Sequence, residues 1–204
     1  MKGEEYMKAN AIRTALMLAA ASALLLAFRV NGDTGERWTA VALGICPVIE
    51  YPRADYDVKG FRLNLLAGRH GNVYGGDLGT VVNICDKSCV GLQLAGLCNV
   101  VGDSAWSVQL AAACNYSDRY SRGVQLAAAN WSDEDFAGVQ AGCFNFAGDV
   151  VGLQLGVLNS AESGGGLQVG AVNVSGGFTG VQVGLININL SSGVPVLPIV
   201  NMMF

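Results

Sequence analysis

The sequence has few of the residues on which most catalytic and nucleic-acid sites depend. Histidine occurs once, at His70, and only 14% of the 204 residues are charged. The sequence shows no nucleophile–base pair, carboxylate dyad or phosphate loop, so we expect a protein that is not an enzyme and has no cofactor or metal site. The 12 basic residues form no stripe and are outnumbered by 16 acidic ones, which argues against a nucleic-acid partner.

Proline is also scarce, with 4 residues, whereas hydrophobic residues make up 51% of the chain and glycine occurs 28 times. A chain with so little charge and so much apolar surface is not typical of a disordered protein. This composition favours a compact β-structure that is rich in tight turns.

A short phrase recurs from about residue 60 onward. It reads Gly-Leu-Gln-Leu-Gly-Val-Leu-Asn at Gly152–Asn159 and Gly-Val-Gln-Val-Gly-Leu-Ile-Asn at Gly180–Asn187. Its glutamines, spaced by 14–16 residues, are Gln93, Gln109, Gln125, Gln140, Gln154, Gln168 and Gln182. Its asparagines include Asn83, Asn99, Asn115, Asn130, Asn145, Asn159, Asn173 and Asn187, and Val196 and Asn201 fall at the next positions of the two series. A fixed short period indicates a stacked array of similar units.

Apolar residues flank each glutamine and most of the asparagines, which predicts two short strands per unit. We expect the apolar flanks to point inward and the amides outward. The inward positions of the two strands differ by an odd number of residues, so a corner of Gly or Ala must separate the strands, and the longer units place their extra residue there. The predicted fold is all-β: a parallel β-solenoid of about ten two-strand coils of 14–16 residues, preceded by an N-terminal signal or anchor helix.

This orientation makes a prediction about substitutions. If Leu155 points inward, Leu155→Asp places an unpaired charge in the core and abolishes folding, whereas Gln154→Ser is mild.

A transmembrane β-barrel is the main alternative fold, because Leu-Gln-Leu alternation could face lipid on one side and a lumen on the other. Spanning strands need about 9–11 residues of unbroken alternation, and here the phase slips after about five. A helical solenoid is disfavoured, since helical repeats need about 33 residues or more.

Three regions follow from these patterns. Residues 1–30 carry Lys2, Lys8 and Arg13 before an apolar run, which is typical of a signal peptide or an anchor, so membrane association through residues 14–28 is expected. Residues 31–59 depart from the repeat and are interpreted as an entry cap. Residues 60–204 form the repeat solenoid with a C-terminal cap at Pro195 and Pro198.

Few side chains are candidates for a chemical role. Cys85 and Cys89 lie in one turn between coils and are candidates for a local disulfide in an oxidising compartment. Cys98 and Cys114 occupy equivalent apolar positions and are expected in the core. The glutamine and asparagine series are interpreted as structural ladders, in which identical amides stack and hydrogen-bond, rather than as a ligand-binding face.

The repeated units resemble a bacterial surface-repeat family, first named from a spirochaete surface protein, with tandem Gly-Val-Gln-x-Ala/Gly-Gly-Leu-x-Asn units. The resemblance covers roughly residues 60–201, although Arg62, Asp77 and Val196 depart from glutamine. It implies an exported protein of the outer membrane, periplasm or cell surface, and it brings no catalytic residues. We therefore expect a structural or adhesive module that binds envelope components, glycans or other proteins. The alternatives are an outer-membrane barrel protein and, least favoured, a carbohydrate-active β-helix enzyme.

Overall fold

The computed structural model describes residues 37–204, and all regular structure in this range is β-strand. The strands are β1 (Arg37–Cys46), β2 (Ile49–Tyr51), β3 (Tyr56–Asn64), β4 (Ala67–His70), β5 (Val73–Gly79), β6 (Val82–Cys85), β7 (Cys89–Ala95), β8 (Cys98–Val101), β9 (Ala105–Ala111), β10 (Cys114–Ser117), β11 (Ser121–Leu126), β12 (Ala129–Ala141), β13 (Phe144–Asn189) and β14 (Val196–Met203). The described residues contain no helix that could span a bilayer. The predicted signal peptide or anchor at residues 1–30 lies outside the described residues.

The strands stack as coils, and each coil pairs with its neighbour in parallel. One face of the stack runs β3-β5-β7-β9-β11 and the other runs β4-β6-β8-β10, while β12 belongs to both faces and joins them. The register is set by the repeat, since Gln109 pairs with Gln93 and Gln125, and Asn115 pairs with Asn99 and Asn130. The predicted all-β parallel solenoid is confirmed. The predicted count of about ten coils is not confirmed.

Both ends of the stack are closed by antiparallel pairing. At the start, β1 lies parallel on β3, and β2 folds back antiparallel on β1. At the far end, a turn held by hydrogen bonds from Ser191 and Ser192 to Asn189 reverses the chain. Strand β14 therefore runs antiparallel to β13 and places Asn201 opposite Gln182. The expectation that Val196 and Asn201 continue the two series as another parallel unit is wrong, because this turn reverses their strand.

The corner between the two faces lies where the phase of the sequence slips. Face-one strand β7 ends at Ala95 and face-two strand β8 begins at Cys98; likewise β9 ends at Ala111 and β10 begins at Cys114. In the later 14-residue units the corner is tighter, and β13 continues through it without a break. One extra residue is absorbed at the corner, since Leu110 pairs with Leu126 but Cys114 pairs with Ala129. The change to 14-residue units lies instead in the turn, where the register shifts between Ser132 and Asp135.

The predicted inward and outward faces are reversed in the structure. Gln93 and Gln154 are completely buried, whereas Leu92 and Leu155 are each 38% exposed. The asparagines from Asn83 to Asn187 are buried as well. The prediction assumed that apolar side chains occupy the interior. An in-register stack changes this preference, because each buried amide finds an identical partner one coil away and the cost of its burial is offset.

Glycine stands two residues before every glutamine of the ladder except Gln109, and it lets adjacent coils approach closely. Gly138, Gly152 and Gly166 have φ between 127° and 140°, a region that favours glycine. A Cβ atom at Gly152 would lie 2.1 Å from the carbonyl oxygen of Gly138 in the preceding coil. The remaining apolar core is small and divided, with one cluster around Val58 and Val101 and another around Phe136 and Phe178.

The reversed orientation inverts the expected effects of substitution at residues 154 and 155. Gln154→Ser should lower the free energy of unfolding by about 2–4 kcal/mol, because it strands a buried donor on Gln168 and a buried acceptor on Gln140. Leu155→Asp, at a partly exposed position, should cost about 1 kcal/mol or less. Urea unfolding followed by circular dichroism measures both values. A larger loss for Leu155→Asp than for Gln154→Ser would contradict the assignment.

Candidate functional site

The buried glutamines form one continuous ladder along the solenoid. Each Nε2 donates to the Oε1 of the glutamine one coil nearer the N-terminus, at 2.7–2.8 Å. The ladder joins Gln182, Gln168, Gln154, Gln140, Gln125, Gln109 and Gln93 in that order. All seven amides therefore point the same way, and the first of them, Gln93, donates to the carboxylate of Asp77 at 3.1 Å.

The asparagines form a second ladder that runs in the opposite direction. Each Nδ2 donates to the Oδ1 of the asparagine one coil nearer the C-terminus, at 2.7–3.0 Å from Asn83 to Asn187. In most coils the same Nδ2 also donates to a backbone carbonyl beside the corner of the next coil, as Asn99 does to Leu110 and Asn145 does to Leu155. The asparagine ladder thus fixes the corner as well as the stacking.

The glutamine ladder begins at a buried ion pair. Arg62 and Asp77 occupy the glutamine position in two successive coils, and Arg62 donates from Nε and Nη2 to the Asp77 carboxylate at 2.7 and 2.6 Å. Burial alone would lower the pKa of Arg62, but the Asp77 carboxylate raises it above its ordinary value. Nη1 donates to the carbonyl of Ile84 at 2.9 Å. The departures from glutamine at Arg62 and Asp77 therefore belong to one charged pair that ends the ladder.

Further titratable groups surround this pair. Nδ1 of His70 lies 3.3 Å from Nη1 of Arg62 and 3.2 Å from Oε1 of Glu50, and Nε2 of His70 has no hydrogen-bond partner. The thiol of Cys85 is also close, and its hydrogen bond with Cys89 and its burial raise its pKa well above the ordinary value. Arg62, Asp77, His70 and Cys85 are all completely buried. No substrate can reach them in this conformation.

The cysteines are paired differently from the sequence prediction. Cys98 and Cys114 form a disulfide between adjacent coils, whereas Cys85 and Cys89 are free and buried. Cys98 and Cys114 sit directly opposite each other in β8 and β10, with Cα atoms 4.7 Å apart, which suits a cross-strand disulfide. Proximity in sequence suggested the Cys85–Cys89 bond, but stacking brings residues 16 apart into register. The predicted Cys85–Cys89 bond is not formed in this structure and stays a prediction.

Because the amides point inward, the apolar residues of the repeat form the outer surface. On face one, two outward rows flank the glutamines, and their members from residue 92 onward are Leu, Val or Ala. These residues are Leu92, Val108, Val124, Val139, Leu153, Leu167 and Val181, with Leu94, Leu110, Leu126, Ala141, Leu155, Val169 and Val183. An open groove of about 1090 Å³ runs along the second row in the longer coils, between Leu43 and Ala128.

We call the line of corners the corner edge; it comprises residues 65–66, 80–81, 96–97, 112–113, 127–128, 142–143, 156–157, 170–171 and 184–185. Apart from Thr80 and Cys143, these residues are Ala, Gly, Leu or Val. We call the opposite line of turns the turn edge; it comprises residues 86–88, 102–104, 118–120, 133–135, 148–149 and 162–164. The turn edge carries eight acidic and two basic side chains. Charge is therefore concentrated on one edge of the solenoid, and the other is apolar.

Aromatic and cationic side chains line the border between the turn edge and the apolar rows. On face one, the guanidinium of Arg122 lies 5.4 Å from the ring centre of Trp106, and Lys59 lies 5.6 Å from that of Trp38. On face two, Tyr116 and the indole of Trp131 both donate to the carboxylate of Asp133. Burial and the bond to Asp133 raise the pKa of Tyr116. Each face thus passes from charged to amphipathic to apolar side chains toward the corner edge.

Sequence reasoning identified the two ladders but missed the charged cluster and the border rows. The structure brings the predicted Gln and Asn residues together in one interior, and it leaves Cys85 and Cys89 as free thiols that hydrogen-bond with each other. A signal for the buried side was present in the internal repeat: the amide stays Gln or Asn from unit to unit, while its apolar flanks vary among Leu, Val, Ala, Ile and Phe. No three metal-ligating side chains converge on a metal-ion site anywhere within residues 37–204.

The fold and its interior define a β-solenoid repeat protein with amide ladders in place of a large apolar core. No protein-family model, curated protein or solved structure significantly matches the chain.

The ion pair at the start of the glutamine ladder gives a double-substitution prediction. Asp77→Asn leaves the Arg62 guanidinium buried without its carboxylate and should destabilise the protein by about 3–5 kcal/mol. The double variant Arg62→Gln with Asp77→Gln extends the glutamine ladder and should recover most of this loss. Chemical denaturation of the two variants and the wild type measures the difference. A double variant as unstable as Asp77→Asn would show that the ion pair has a role that a neutral amide cannot fill.

The disulfide can be checked by peptide mapping under non-reducing conditions. Protein isolated from an oxidising compartment should contain a Cys98–Cys114 cross-link and free thiols at Cys85 and Cys89. Replacing both Cys85 and Cys89 by serine should leave the cross-link unchanged, whereas Cys98→Ser should remove it. A peptide joining Cys85 to Cys89 would instead restore the prediction made from the sequence.

Proposed function

We propose that the chain is an exported, non-enzymatic repeat protein of the cell envelope, in which a rigid solenoid serves as a structural and binding module. The observation that carries this proposal is the distribution of polar groups. The amides and the ionic cluster that could bind or react with a ligand are buried and bonded to one another, so the surface that remains for partners is mainly apolar. This arrangement favours binding through shape and apolar contact over catalysis.

The ladders explain why such a module is rigid. Each coil from Gln93 to Gln168 contributes one glutamine and one asparagine that bond to both neighbouring coils, in addition to the backbone pairs of the parallel stack. A local opening must break both ladders and the backbone bonds at once. The outward rows are therefore held at the regular spacing of the coils, about 4.8 Å apart, as a fixed surface for a partner.

Export is supported by two independent features. The first is the basic start and apolar run of residues 1–30, which is typical of a secretory signal or anchor. The second is the Cys98–Cys114 disulfide, because disulfides persist mainly in oxidising compartments. The envelope, rather than the cytosol, is the compartment that accommodates both features. The resemblance of the repeat phrase to bacterial surface repeats also favours export to the envelope.

Export is tested by expressing the full chain in a bacterium with two membranes, followed by fractionation and thiol mapping. The wild type should appear in the envelope fraction with Cys98 and Cys114 oxidised. Leu24→Arg with Leu25→Arg interrupts the apolar run and should retain the protein in the cytosol with reduced thiols. Leu24→Ile with Leu25→Ile is the matched control and should be exported normally. Wild-type protein found in the cytosol with reduced cysteines would refute the proposal.

A further inference from the structure

We propose that the solenoid inserts its corner edge into one leaflet of a lipid bilayer, with the turn edge in water. This inference deepens the proposed function by naming the partner of the apolar surface, and it concerns residues 37–204 independently of the apolar run before them. The bound surface consists of the corner edge together with the second apolar row of face one and the exposed Phe144 and Ile186 of face two.

The apolar surface bends around an edge. On face one, Leu155 and Val169 are exposed beside the corner; at the corner itself, Val157 is 55% exposed and Leu185 is 74% exposed. On face two, Phe144 is also exposed. A flat partner, such as the face of a second copy, covers one side of an edge at a time. Acyl chains surround the edge on all three sides, so a leaflet matches this surface best.

The order of side-chain types away from the corner edge matches a lipid-water interface. Lipid-water interfaces favour Trp and Tyr at headgroup level, and Lys and Arg extend from that level toward water. Here Trp106 with Arg122 on face one, and Tyr116 with Trp131 on face two, occupy the border between apolar rows and charged turns. On both faces this border lies beside the turn edge. It therefore stays at headgroup level when the corner edge enters the bilayer.

The apolar region is as deep as the hydrocarbon of one leaflet. From Trp106 to the end of β9 at Ala111 is five residue steps, or about 16 Å along an extended strand. One leaflet contributes about half of the roughly 30 Å hydrocarbon core, so about 15 Å. The corner edge can therefore reach the middle of the bilayer while Trp106 stays at the headgroups. The solenoid would occupy one leaflet and would not cross the other.

Lipid exposure requires that backbone groups be bonded within the protein. The corners meet this requirement because Leu97, Ala113 and Ala128 each donate their backbone N–H to a corner carbonyl of an adjacent coil. Carbonyls beside the corner accept from the asparagine ladder, as Leu110 does from Asn99 and Val169 does from Asn159. The second hydrogen bond of each of these asparagines therefore satisfies a backbone carbonyl at the edge that contacts lipid.

The net charge identifies the type of lipid. The turn edge is acidic and the whole chain has a net charge of −4, so anionic headgroups repel it at long range. Phosphatidylcholine vesicles, which are zwitterionic, are therefore the appropriate probe. Vesicles with added phosphatidylglycerol should bind less.

Cys143 provides a reporter, because it is exposed and lies on the corner edge. In the full chain with Cys46→Ser, an environment-sensitive NBD dye attached to Cys143 should shift to the blue on addition of phosphatidylcholine vesicles, and bromine-labelled acyl chains should quench it. In a matched protein with Cys46→Ser, Cys143→Ser and Glu162→Cys, the dye sits on the turn edge and should show neither change. Cys85 and Cys89 are buried and should remain unlabelled.

Charged substitutions test whether the edge carries the binding. Val157→Asp and Leu185→Asp place carboxylates at exposed corner positions, and each should lower vesicle partitioning of the solenoid by roughly a hundredfold at hydrocarbon depth. Ser163→Asp adds the same charge on the turn edge and should leave the Cys143 signal unchanged. Circular dichroism without vesicles checks that the corner variants are folded.

Two outcomes would overturn the inference. If the protein floats with vesicles but the dye on Cys143 does not shift, residues outside the solenoid anchor it and the corner edge faces water. If dye at residue 162 shifts as much as dye at Cys143, the solenoid lies on the membrane in another orientation. Either result is compatible with normal export and would not contradict the proposed envelope location. Cytosolic retention in the fractionation experiment would contradict that location but would not test insertion of the corner edge.

Discussion

The pairing of buried amides from one coil to the next is the interaction on which this structure depends. A buried amide without a partner costs roughly 1–3 kcal/mol, so a single inward glutamine would be a defect. In register with its copies, the same side chain donates once and accepts once. This condition fixes the register of the coils, because a slip of one residue would place an apolar flank opposite each amide. It also explains why the repeat length varies outside the paired strands, at the corners and in the turns between coils.

A ladder of this kind must end somewhere, and its two ends differ. The glutamine amides all donate toward the N-terminus, so that end needs an acceptor, and the Asp77 carboxylate is a strong one. Arg62 balances its charge. At the other end Oε1 of Gln182 and both amide atoms of Asn201 lack partners, and β14 covers them. The asparagine ladder points the opposite way, so the dipoles of the two ladders largely cancel along the axis.

The sequence determined the period, the corner, the two strands per coil and the parallel stack, because these depend only on spacing. It did not determine which side of the strand faces inward. Alternation places Gln154 and Leu155 on opposite faces of the strand but does not say which of the two is buried. The general preference for apolar interiors predicted the wrong one. Pairing across coils decides it, and that is a property of the stack rather than of one strand. The Cys98–Cys114 bond was missed for the same reason, since its partners meet only after stacking.

An interior of hydrogen bonds also changes the surroundings in which the fold is stable. A protein with a large apolar core is held together by the exclusion of water, and this driving force vanishes where lipid replaces water. Backbone and amide hydrogen bonds strengthen as the local dielectric constant falls. A solenoid with paired amides inside and leucine or valine outside therefore loses little when its outer surface enters hydrocarbon. In water the same exposed apolar surface is energetically unfavourable, and insertion of the corner edge would remove that surface from water.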